Sequence, residues 1–103
     1  MSNTFKLKKY KNIQVSVSLV KNEAIQDLNK QHLNRDYPTD VLSFNIDEEI
    51  SSEEYYLGDI VVNIDKAEEQ AATYSNNLEQ EIAELVEHGM LHLLGVHHDG
   101  DDH

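Results

Sequence analysis

The run from residue 88 to 98, His-Gly-Met-Leu-His-Leu-Leu-Gly-Val-His-His, constrains this chain more than any other feature. A helix advances about 100° per residue, so His88 and His92 stand one turn apart and about 40° around the axis, on one face. Gly95 can adopt the left-handed conformation that stops a helix and reverses the chain, which allows His98 to return toward the pair. The fold must therefore end a helix with two imidazoles on one side and leave space there for a third.

Three neutral imidazoles with a fourth position left to water form the donor set of a catalytic zinc site rather than a structural one. The chain has no cysteine, so thiolate ligands and disulfides are both excluded. The spacing predicts one zinc ion on His88, His92 and His98, although an imidazole site also accepts nickel, copper or iron. His97 and Asp99 flank His98 and are alternative ligands, and the closing HHDGDDH also suits a solvated acidic tail. The same spacing occurs in the long zinc motif of one metallopeptidase class, but Gly89 stands where that class needs its glutamate. Glu81 and Glu84 precede His88 on the same helical side, as partners for the site, as a proton acceptor or simply as a solvated face. Met90, Leu91, Leu93 and Leu94 read as core that anchors this helix.

Upstream, Ile13–Val20 alternates apolar and polar residues and is rich in β-branched types, which predicts a strand with one buried face. Asn22 can cap a helix over residues 23–33, with Ile25, Leu28 and Leu33 sharing a buried side. The turn-formers of Asn34–Asp40 end it, and Pro38 restrains Tyr37 to an extended conformation. A second strand is expected at Val41–Asn45 and an exposed acidic connection at Asp47–Glu54. A third strand follows at Tyr55–Ile64, where Gly58 marks a bulge or a close backbone approach. Asp65 is expected to cap a helix over 65–74, and Asn76 or Asn77 a longer one over 78–94. With no repeat or linker, residues 1–103 read as one small α+β domain, a mixed sheet packed with helices, with the three-histidine site at the end of the last helix.

Charge narrows the partners. Twenty acidic against eight basic residues give a formal net charge of −12, which argues against non-specific binding to nucleic acid or anionic membrane. The basic residues cluster early, and only Lys66 lies beyond Arg35. They read either as a local RNA contact or as a solvated surface that protects a strand edge. No stretch approaches the roughly 18 apolar residues of a membrane span, and the N-terminus lacks the apolar core of a secretory signal, so a soluble cytoplasmic protein without membrane contact is expected.

The segment His88–His98 resembles the signature of the YbeY family of metal-dependent endoribonucleases. Leu28-Asn29, Pro38-Thr39-Asp40-Val41-Leu42-Ser43-Phe44 and Leu57-Gly58-Asp59-Ile60 resemble that family's other blocks, in the same order. The resemblance covers roughly residues 25 to 103. It implies cleavage of single-stranded RNA in ribosomal RNA maturation and quality control, in contact with ribosomal particles or ribosomal proteins. It also implies substrate contacts at Thr39, Asp40 and Ser43; each of these also has a simpler role in the turn or at the strand start. Val96-His97 replaces the Tyr-Asp that usually precedes the third histidine. Leu33 occupies the position of the family's frequent active-site arginine, leaving Arg35, two residues on, as the catalytic candidate. The family typically continues into a C-terminal helix, whereas this sequence stops at His103. Two other readings stand beside the nuclease: a non-catalytic, metal-binding ribosome-assembly factor, and a metal-dependent hydrolase of another substrate, with peptide disfavoured by Gly89. Oligomeric state is not legible.

Overall fold

A computed structural model describes residues 7–95. Among the described residues three strands and three helices follow in the order β1 (Asn12–Val20), α1 (Asn22–Leu33), β2 (Val41–Glu49), β3 (Glu54–Asn63), α2 (Ile64–Thr73) and α3 (Leu78–Leu93). The sheet order is β1-β3-β2, with β1 parallel and β2 antiparallel to β3, so the small mixed α+β architecture agrees with the sequence reading.

Strand β3 is central and lies between two apolar layers. Tyr55, Leu57, Ile60 and Val62 pack with Val41, Ala67, Leu85 and Leu93, joined by Ile82, Val86 and Met90 of α3 and by Leu94 just past its end. On the opposite face Val61 and Leu42 pack against Ile25 of α1, with Val20, Leu28 and Phe44 at the margin. Full burial of a side chain such as Leu93 or Ile60 contributes about 1.5–3 kcal/mol.

The structure corrects several sequence expectations. Leu33 does not join the buried side of α1, because it sits in the last turn and is 38% exposed. Strand β2 continues through Asp47 to Glu49 instead of ending at Asn45; the pairing register shifts between Asn45 and Glu48, and Asp47 takes a positive φ of 53°. Gly58 is a point of close approach, since a Cβ there would lie 2.2 Å from the Phe44 carbonyl oxygen and 2.8 Å from Leu93 Cδ2. The register of β1 on β3 shifts at the same place, with Gln14 opposite Tyr56 and Val15 opposite Gly58, so Leu57 is the extra residue.

Neither expected cap, Asn22 nor Asp65, stands at the N-cap of its own helix. Lys21 occupies the N-cap of α1 without a side-chain bond, and Asn22 begins the helix proper. Its backbone N–H donates to Asp65 Oδ2 at 3.0 Å, and its Oδ1 accepts from Asn63 Nδ2 at 2.7 Å. Asn63 caps α2, its Oδ1 accepting from the backbone N–H groups of Asp65 and Lys66 at 3.0 and 3.2 Å. One polar cluster thus satisfies donors at the starts of two helices. Helix α3 begins with a reciprocal capping box: Gln80 N–H donates to Asn77 Oδ1 at 2.8 Å, and Asn77 N–H to Gln80 Oε1 at 3.2 Å.

Candidate metal centre and adjoining groove

The apolar side of α3 faces β3 and leaves His88 half-buried and His92 5% exposed. The two rings are 5.4 Å apart between centroids and tilted by 43°, the one-turn neighbours that the spacing requires. Two imidazoles so placed suit a borderline-soft transition metal such as zinc. His98 and the alternatives His97 and Asp99 lie outside the described residues. Among the described residues no three His, Asp or Glu side chains form a metal-binding group.

Two close contacts hold this helix in place. Between the histidines, Gly89 rests on β3, where a Cβ would lie 2.8 Å from Ile60 Cγ2 and 3.2 Å from Ile60 Cγ1. A glutamate at this position would have to displace the Ile60 side chain or the helix, a steric obstacle to the missing peptidase base. At the C-terminal end Asn45 Nδ2 donates to the Leu93 carbonyl at 2.9 Å. Gly95 has the expected positive φ, 86°, and its N–H donates to the His92 carbonyl at 3.0 Å.

An open groove of about 400 Å³ runs beside His88 between α2 and α3. Asp40 reaches it from the start of β2, Gln70 and Tyr74 from α2, and Glu81 and Glu84 from α3. Leu91 also lines the groove, so it belongs to this wall rather than to the core expected for it. Glu81 is only 5% exposed, although the sequence offered a solvated face as one reading. Gln70 and Tyr74 escaped sequence analysis because nothing in α2 marks which of its polar residues face α3.

Of the four residues singled out for substrate or catalysis, Asp40 is the one that lines this groove among the described residues. Its Oδ2 accepts from Gln70 Nε2 at 3.3 Å. The Thr39 hydroxyl accepts from Asn29 Nδ2 at 3.2 Å and donates to the Val41 carbonyl at 3.4 Å, a buried brace within the turn. Asn29 Nδ2 also donates to the Tyr37 carbonyl at 2.9 Å, and the Asn29 carbonyl accepts from Arg35 N–H at 3.2 Å. Asn29 therefore braces the connection from α1 to β2 at three points, and Gln26 Nε2 adds a bond to Asp36 Oδ1 at 3.0 Å. Ser43 lies opposite Ile60 in register and, by strand alternation, shares the α3-facing side of β2 with Val41 and Asn45. Arg35 is half-buried in the connection after α1.

The resolved proton shifts lie away from the histidines. The Tyr10 hydroxyl donates to Glu49 Oε1 at 2.5 Å; this bond holds the Glu49 carboxyl below its ordinary range and raises the Tyr10 phenol. Burial, then a 2.8 Å hydrogen bond to Asp47, pushes Tyr55 up to about 12.

The fold and groove define a small α+β domain that presents a helix-borne histidine pair at a solvent-open edge. The chain belongs to the YbeY family: the model described as "Endoribonuclease YbeY" matches residues 1–103. A relative of that name from Alkaliphilus oremlandii is 48% identical over 92 residues, covering 86% of this chain and 61% of the relative. Another, from Thermoanaerobacter sp., is 44% identical over 103 residues, covering 88% and 65%. A Thermotoga maritima protein of known solution structure superposes with a TM-score of 0.57 at 37% identity, covering 97% of this chain and 63% of that one. This chain thus spans somewhat less than two thirds of the length of these relatives. No helix among the described residues is long and apolar enough to cross a membrane.

Proposed function

We propose that this protein is a metal-dependent endoribonuclease that cleaves single-stranded ribosomal RNA during its maturation and quality control in the cytoplasm. The observation that carries the reading is the His88–His92 pair, its rings 5.4 Å apart on a helix fixed by Gly89 and Asn45, in a chain of a family named for endoribonuclease activity. His88 and His92, with His98 by the motif spacing, would hold the ion, which as zinc would polarise a phosphate oxygen and lower the pKa of a bound water toward neutrality.

The chain's own residues then position the substrate. Asp40, beside His88, orients a substrate hydroxyl or a water as an acceptor, and Ser43 offers a hydroxyl from the α3-facing side of β2. Arg35 supplies positive charge to the phosphate. Thr39 builds the turn that carries Asp40, and its contact with RNA is indirect.

A second reading, a non-catalytic metal-binding assembly factor that contacts ribosomal particles, is favoured by Leu33 in place of the family arginine and by the acidic wall beside His88. A labelled single-stranded ribosomal RNA fragment, incubated with zinc-loaded protein and with an identically purified His92→Ala control, separates the two. Cleavage lost in the control supports the nuclease; equal cleavage, or none with either protein, supports the assembly factor.

A further inference from the structure

Glu81 is the one buried carboxylate among the described residues that lacks a matched donor. It is 5% exposed and lines the groove beside His88, and its Oε2 is shielded from solvent without a hydrogen bond. An ionised carboxylate buried without a partner costs several kcal/mol. Asp40, Glu84 and Glu87 line the same groove, and no Lys or Arg is among its described lining residues. Four carboxylates around about 400 Å³ repel one another, and a phosphodiester brought to His88 adds to that repulsion.

We propose that this groove binds a hydrated divalent cation of the magnesium class, anchored by Glu81 and Asp40 and separate from the ion held by the histidines. Magnesium keeps several of its waters and takes one or two carboxylates together with substrate phosphate, so it needs no cage of protein ligands. The terminal torsion of a glutamate is soft and roughly two-fold, so a small rotation of Glu81 presents either oxygen to the groove. Zinc prefers the imidazoles by ligand type, which keeps the two ions apart. The site extends beyond the nuclease reading and stands whether or not the chain cleaves RNA.

The test uses zinc-loaded protein, so that the imidazoles are filled, and Mn2+ as a paramagnetic substitute for magnesium, counted by the resonance signal of the free ion. The expected result is about one Mn2+ per chain, displaced by Mg2+, with Glu81→Gln weakening it by about tenfold or more at unchanged zinc content and circular dichroism. No Mn2+ bound by the zinc-loaded protein, or affinity within about twofold of wild type in a folded Glu81→Gln, overturns the proposal. Should Glu81→Gln fail to fold, Asp40→Asn carries the same criterion. Because zinc content and Mn2+ binding are read separately from RNA cleavage, failure of this site and failure of the nuclease reading are distinguishable.

Discussion

Gly89 and Ile60 touch so closely that an added methyl group would lie 2.8 Å from Ile60 Cγ2. This contact sets how near α3 lies to β3, and the two histidines flank it in sequence.

Gly89→Ala therefore pits overpacking, which costs about 1–3 kcal/mol, against a helix-propensity gain of about 1 kcal/mol. Because the opposing atoms belong to a β-branched residue in the central strand, the expected net effect is destabilisation, by up to about 2 kcal/mol. Ile60→Ala alone is also destabilising, but Gly89→Ala costs less in its presence. A double-mutant cycle by urea unfolding checks the coupling, and strictly additive losses would contradict the contact.

Metal binding has a stability signature independent of catalysis. Zinc at about 100 times its dissociation constant stabilises a protein that binds it only when folded by about 2.7 kcal/mol. The wild type is expected to show a corresponding rise in melting temperature on zinc addition, and His92→Ala to lose it. An equal rise in both proteins would remove His92 from the ligand set.

Asn29 links α1 to the turn before β2 through Tyr37 and Thr39. Asn29→Ala removes both bonds and leaves the Tyr37 carbonyl to find another donor, at a cost of about 2–3 kcal/mol. Chemical denaturation reads the loss. A change below about 0.5 kcal/mol would mean that the turn holds without Asn29.

Tyr55 gives the fold an alkaline limit. Its folded pKa of about 12 lies above its ordinary value of 10.0, so the unfolded chain loses the phenolic proton first. Its contribution is intact below about pH 10 and is lost as pH rises toward 12. Tyr55→Phe should flatten the decline over that window when stability is followed by urea unfolding at each pH. Glu49 works in the opposite direction: its depressed value gives a contribution present above the ordinary carboxylate range and lost as acid titrates it.

The three strands and three helices were legible because their periodicities and turn residues are local signals, and Asn77 and Gly95 act where such signals place them. The capping of the second helix by Asn63, and the bond from Asn22 N–H to Asp65, were not legible. Asn22 meets Asn63 and Asp65 across more than forty positions of chain, and no local pattern encodes that meeting. The histidine pair could be read from one helical turn. The groove beside it could not, because Gln70 and Tyr74 come from a different helix whose rotation is set by packing.

The bond from Asn45 to the Leu93 carbonyl fixes one end of α3, and the Asn77–Gln80 box fixes the other. In the language of chelation, the His88–His92 pair sits on a scaffold pinned at both ends before any ion arrives. Under the proposed metal-dependent reading, an ion taken by this pair would not spend binding energy on ordering these two rings.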